Sequence, residues 1–181
     1  DVVAWAHRDT DIADYERTLP TIVDACGEIA RFAADYGIIS SVENHGNMVN
    51  ASERVRRLIH LVDEPNFKTT LDVGNFLVVD EDPVSATTQN LPYASIVHLK
   101  DFYIRPERDY PGPGWLLTAG GNHLMGSIVG YGDMNMRGVM KAIATSGFDG
   151  YVSIEFEGIE DCLIGAERGL ANAKRILDEV R

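Results

Sequence analysis

Four ionisable residues, each closing a short apolar run, recur along the chain at close to the spacing of one strand-helix unit. Glu43 follows Val42, Asp72 follows Leu71, His98 follows Val97 and Glu155 follows Ile154, at separations of 29, 26 and 57 residues. About thirty residues is the length of a strand together with its return helix. Groups that recur once per unit fall at the carboxyl ends of successive parallel strands, where (β/α) barrels place their active sites. The spacing therefore directs the chain toward an α/β fold with a parallel sheet.

The periodicity agrees. Short apolar runs at 2–6, 38–43, 67–72, 96–100 and 151–156 predict strands, and amphipathic segments between them predict helices. The first helix is expected over 11–36, with Ile12, Tyr15, Leu19, Ile22, Val23 and Cys26 at helical spacing, Asp11 or Asp14 as cap, and Pro20 near its start or at a kink. Gly37 is expected to close it in a left-handed conformation. Ser52 is expected to cap a second helix through Val55, Leu58, Ile59 and Val62, which Pro65 stops. Further helices are predicted over 83–89, 136–146 and 161–180. Residues 103–132, with Pro106, Pro111, Pro113 and many Gly, break the pattern and predict a long loop, either a functional lid or a poorly ordered segment.

Composition removes several classes. A chain of 181 residues that is 45% hydrophobic has the size and apolar content of a single domain with a real core, over 1–181. Its net charge of -12 opposes nucleic acid and anionic bilayers as partners. No apolar stretch approaches the roughly 18–20 residues of a membrane span. Cys26 and Cys162, far apart and outside any Cys-x-x-Cys, are expected to be two reduced core thiols in a cytoplasmic protein. The first residues already read as a strand, so the chain is expected to be the back part of something longer.

Three carboxylates and an imidazole converging on one rim repel one another unless a cation intervenes, so Glu43, Asp72, His98 and Glu155 together imply one divalent metal ion. An oxygen-rich set with a single His suits Mn²⁺, Mg²⁺ or Co²⁺, with Zn²⁺ also accommodated. Lys100 shares the strand face of His98, where it either holds a substrate oxygen or neutralises the carboxylates. Glu157 shares the parity of Glu155. Trp5 and His7 lie near the mouth of the same rim, where the indole either stacks on a sugar or belongs to the core. His60 is expected at the surface, and His123 falls in the long loop.

The motifs Glu43-Asn44-His45-Gly46, Leu71-Asp72-Val73-Gly74-Asn75, His98-Leu99-Lys100-Asp101, Gly130-Tyr131-Gly132-Asp133 and Ser153-Ile154-Glu155-Phe156-Glu157-Gly158 resemble, in order and spacing, those of the xylose isomerase-like barrel superfamily. This group of sugar phosphate isomerases and epimerases also includes endonuclease IV. The resemblance implies a (β/α) TIM-type barrel and places its metal ligands on Glu43, Asp72, His98 and Glu155, on strands five to eight. The run at 2–6 is then strand four, so the chain is expected to hold about five of eight units, an incomplete barrel lacking the first three. A full barrel needs about 250 residues. An open edge of this kind implies a homo-oligomer or another association that covers it.

For function, the resemblance implies a metal-dependent isomerase or epimerase of a sugar, keto-sugar or polyol. Glu43 and Glu155 would accept and donate a carbon-bound proton through an enediolate. Substrate contacts would come from His45, Lys100, Arg105, Trp5 and His7. Departures argue against carrying over ketose specificity: Asn75 stands where the ketose 3-epimerases have a sugar-binding His, Ile104 where they have an Arg, and Val49 where they have a second Glu. Two alternatives are an endonuclease IV-like phosphodiesterase, disfavoured by 5 His and the acidic balance, and a catalytically inactive sugar-binding barrel fragment.

Overall fold

The computed structural model describes residues 12–181. In chain order the elements are α1 (Ile12–Ala34), β1 (Ser40–Glu43), α2 (Ser52–Val62), β2 (Phe67–Asp72), α3 (Pro83–Asn90), β3 (Ala94–Leu99), β4 (Asp101–Arg105), β5 (Leu116–Leu117), β6 (His123–Ser127), α4 (Met136–Thr145), β7 (Tyr151–Ile154) and α5 (Cys162–Val180), with 3₁₀ turns at Asn75–Val79 and Leu91–Tyr93. The strand expected at 2–6, with Trp5, His7 and the candidate cap Asp11, lies outside the described residues.

β1, β2, β3 and β7 form one parallel sheet in that order, the partial barrel. Its register sets Asp72 opposite His98 and His98 opposite Ser153, so the strand-end residues share one level. The helices cover the outer face. Tyr15, Leu19, Cys26 and Ala30 of α1 pack with Val55, Leu58, Ile59 and Val62 of α2 against Val42 and Phe67. The α2 stripe follows the i, i+3, i+4, i+7 rule, and each of its side chains contributes about 1.5–3 kcal/mol on burial. A second cluster joins Leu71, Val97 and Leu99 of the sheet to Val139, Met140, Ala173 and Ile176 of α4 and α5.

Helix ends follow local chemistry in most places. Gly37 adopts φ 66° after α1, as expected. Asp82 accepts from Ser85 N at the start of α3, with Pro83 in the first turn, and Asp161 accepts from Leu163 N and Ile164 N at the start of α5. Ser52 departs from expectation. Ala51 holds the cap position of α2, Ser52 is the first helical residue, and its backbone N–H donates to Glu81 at 2.7 Å. Its hydroxyl accepts from Asn90 at 2.8 Å. The cap is thus supplied by tertiary contact rather than by the local side chain. Pro20 sits well inside α1 rather than near its start.

Two further expectations are corrected. Residues 103–132 are not a plain loop: β4, β6 and β5 form an antiparallel sheet, with Asp101 opposite Ser127 and Arg105 opposite His123. The pairing brings together runs too far apart to share a tight turn, so no turn signal marks it; Phe102 and Leu124 anchor it in the core. Cys162 is exposed, not a core thiol. α5 is buried through Gly165, Gly169, Ala173 and Ile176, while its first turn carries Cys162 and Leu163 into solvent. Among the described residues, no helix is long and apolar enough to cross a membrane.

Candidate metal centre

Glu43 ends β1, Asp72 ends β2, His98 is the penultimate residue of β3, and Glu155 directly follows β7. One ligand atom from each lies within 4.8 Å of the others. The parallel register produces this convergence, because neighbouring strands end at one level and their last side chains face one mouth.

The two sides of the cluster are built differently. On the β1–β2 side the supports are amides. Asn44 accepts from Asp72 N and donates to Asp72 O, both at 2.8 Å, closing the ladder where the strands end. Asn50 donates to Gly46 O and Asn75 O, each at 2.8 Å, tying the turn after β1 to the turn after β2. Asn75 donates to Asn44 O at 3.0 Å and to Glu43 Oε1 at 3.3 Å. All three amides are buried. Asp72 Oδ1 accepts from Gly74 N at 2.8 Å and Asn75 N at 3.0 Å.

On the β3–β7 side the supports are charges. His98 Nδ1 stands 2.7 Å from Glu155 Oε2, and Lys100 Nζ stands 2.7 Å from Glu155 Oε1, 3.1 Å from Glu157 and 3.3 Å from Asp72 Oδ2. The His98 hydrogen bond and the Lys100 ammonium hold the Glu155 carboxyl well below the usual range, at about 2, against partial burial. The same Glu155 hydrogen bond raises His98. Burial opposes the Lys100 charge, but Asp72, Glu155 and Glu157 outweigh it and hold the ammonium above its ordinary value. Burial pushes Asp72 up to about 7, with Glu155 and Glu43 adding to it and Lys100 and the Asn75 N–H opposing.

These features fit a divalent cation. The fully buried Asp72 Oδ2 accepts no hydrogen bond, and Lys100 meets it only as an ion pair. Carboxylates outnumber the single ammonium around the cluster, an excess of negative charge that a divalent ion would offset. Three oxygen donors and one imidazole nitrogen form a set suited to such an ion. Zinc, magnesium, manganese and cobalt are all compatible with that chemistry.

The remaining sequence candidates fall elsewhere. His45 is exposed at the rim and bridges Val49 through its backbone. Arg105, at the end of β4, pairs with Asp133 at 3.0 Å and lies over Trp115. His60 is at the surface, 3.1 Å from the Tyr93 hydroxyl, and His123 is buried on β6 with its ring against Tyr110. Lys100 stands beside the carboxylates of Asp72, Glu155 and Glu157. The supports that sequence reasoning passed over are Asn44 and Asn50. Their signal was weak, since a neutral amide beside a strand-end acid stands out neither by charge nor by periodicity.

The antiparallel sheet is fastened to this centre. Asp101, next to Lys100, accepts from Phe102 N at 2.8 Å, Gly130 N at 2.8 Å and Gly132 N at 3.1 Å. A Cβ on Gly126 of β6 would lie 2.2 Å from Glu157 O, so a side chain there is incompatible with the segment that follows Glu155.

Comparison with known proteins agrees with this architecture. An inosose dehydratase of Lacticaseibacillus casei is 24% identical over 145 residues, which is 80% of this chain and 47% of that protein. The chain thus spans about half the length of the curated relatives it matches. A xylose isomerase-like TIM barrel protein from Mycobacterium smegmatis, solved in complex with magnesium, superposes with a TM-score of 0.70 at 19% identity, over 98% of this chain and 55% of that one. A D-tagatose 3-epimerase-like protein gives 0.68 at 22% identity, over 90% of this chain and 55% of that one. The model of the xylose isomerase-like TIM barrel family matches residues 1–180, and the chain belongs to that family.

Proposed function

We propose that this chain carries the metal-binding rim of a divalent-metal-dependent enzyme that moves a proton on a carbon beside the carbonyl of a sugar or keto-polyol, as an isomerase or epimerase. The observation that carries the reading is the approach of Glu43, Asp72, His98 and Glu155 ligand atoms to within 4.8 Å of one another. A divalent ion bound there supplies Lewis-acid polarisation of the substrate carbonyl. Asp72 and His98 serve as ligands. Glu43 and Glu155 come from the two outer strands of the described sheet, and so reach a bound substrate from two sides as proton acceptor and donor. His98 fixes the orientation of Glu155 through its 2.7 Å contact.

The inosose dehydratase match favours a second reading with the same first step. After the proton next to the carbonyl leaves, loss of hydroxide from the following carbon gives dehydration, whereas return of the proton gives an epimer or isomer. Metal analysis and proton exchange in D₂O, with a panel of ketoses and inososes, test both. One divalent ion per chain and exchange at the carbon beside the carbonyl are expected, and the product identifies the branch. Absence of bound metal at saturating Mn²⁺ together with no exchange on any substrate overturns the proposal.

A further inference from the structure

Among the described residues, Lys100 is the only lysine or arginine that is buried, and it is buried inside the candidate metal centre. Its ammonium has three protons and four oxygen neighbours: Glu155 at 2.7 Å, Glu157 at 3.1 Å, and Asp72 and Asn75 Oδ1 at 3.3 Å. Its stem is seated with little slack, since a Cβ added to Gly74 would lie 2.9 Å from both Lys100 Cβ and Cγ. It donates a hydrogen bond to Asn75 Oδ1 and is ion-paired with the three carboxylates, so its close polar neighbours in the fold are oxygens of the protein. Asn75 also donates to Glu43, so a chain of contacts runs from Glu43 through Asn75 and Lys100 to Glu155.

We propose that Lys100 is a resident counter-cation: it holds the carboxylates assembled while no metal is bound, and it weakens the affinity of the centre for a divalent ion by repelling it. The proposal rests on the reading of the cluster as a metal site. Lys100 acts here as a positioning residue, through Asp72 and Glu155. The buried Asp72 and the part-buried Glu155 repel one another once this ammonium is gone, so the metal-free fold loses stability. The same loss removes a positive charge from beside the incoming cation, so metal binding tightens. A purely structural or a substrate-binding lysine does not couple these two effects in opposite directions.

The test compares wild type, Lys100→Met and Lys100→Arg, using thermal unfolding in chelator and Mn²⁺ titration by calorimetry. For Lys100→Met the metal-free midpoint is expected to fall by roughly 10 °C, and Mn²⁺ is expected to bind at least tenfold tighter. Lys100→Arg, which keeps the charge, is expected to restore wild-type Mn²⁺ affinity. Equal or weaker Mn²⁺ binding by Lys100→Met overturns the counter-cation role, as does an unchanged metal-free midpoint. Should the Met variant be unfolded without metal, recovery of its circular dichroism on adding Mn²⁺ supports the proposal, and no recovery at a concentration that saturates wild type overturns it. Failure of the wild type itself to bind Mn²⁺ refutes the metal reading, a result distinct from a wild type that binds and a Met variant that binds no better.

Discussion

The two walls of the centre hold carboxylates by different means. On the β1–β2 wall, Glu43 and Asp72 are set by Asn44, Asn50 and Asn75, neutral amides spliced into the backbone ladder. On the β3–β7 wall, Glu155 is set by His98 and Lys100, which are charged or chargeable. Amides fix position and leave charge untouched, so that wall governs geometry. Charged partners fix position and potential together, so that wall governs both shape and affinity for cations.

The sharpest way to break this contrast is to neutralise one carboxylate on each wall. Glu43→Gln and Glu155→Gln are each expected to lower turnover about 10³-fold, the scale of a lost general acid or base. Only Glu155→Gln, which also releases His98 and Lys100, is expected to lower the metal-free unfolding midpoint clearly while leaving the chain folded. Similar midpoints in the two variants would mean that the walls are equivalent, and an active Glu155→Gln enzyme of normal metal content would remove Glu155 from the chemistry.

Next in size is Asn44→Ala, which leaves the buried N–H and C=O of Asp72 without partners. A loss of about 2–4 kcal/mol is expected in urea unfolding, and a loss under 1 kcal/mol would show that the amide wall is not structural. Gly74→Ala follows: its Cβ crowds the Lys100 stem at 2.9 Å, and about 1–3 kcal/mol of stability should be lost. It acts on the charged wall from the neutral one, so Mn²⁺ affinity should shift as well, and an unchanged affinity would separate the two.

The smallest effect belongs to an ion pair outside the centre. Glu179 is held below its ordinary value by hydrogen bonds from Arg175 and Arg137. A carboxyl depressed in the fold adds stability that is present above its ordinary value near 4.5 and is lost as pH falls through the depressed one. Glu179→Gln should therefore lower the unfolding midpoint slightly at neutral pH and not at all in strong acid. A difference that grew on acidification would reverse the sign and refute the pairing.

Much of the fold was legible beforehand. The strand at 67–72 was read to its ends, and the helices at 52–62, 83–90, 136–145 and 162–180 to within a residue or two, because their apolar stripes and stop signals lie within one window. The candidate cluster was legible because strand ends are marked by apolar runs that close on an ionisable residue. The β4–β6 pairing was not, since its strands meet across residues 106–122 and their partners share no window. The cap of α2 escaped for the same reason: Glu81 supplies it from 29 positions downstream.

Local pattern marked the strand-helix alternation, the acidic rim and the four residues whose ligand atoms converge, since side-chain period and charge depend on neighbours along the chain. Packing in three dimensions settled which side chains meet: that Asn44 pairs with Asp72, that Lys100 stands beside Asp72, Glu155 and Glu157, and that Gly126 admits the Glu157 carbonyl. Those contacts join residues roughly 25 to 60 positions apart at separations of a few ångströms, a precision that hydrophobic period and charge alone do not encode.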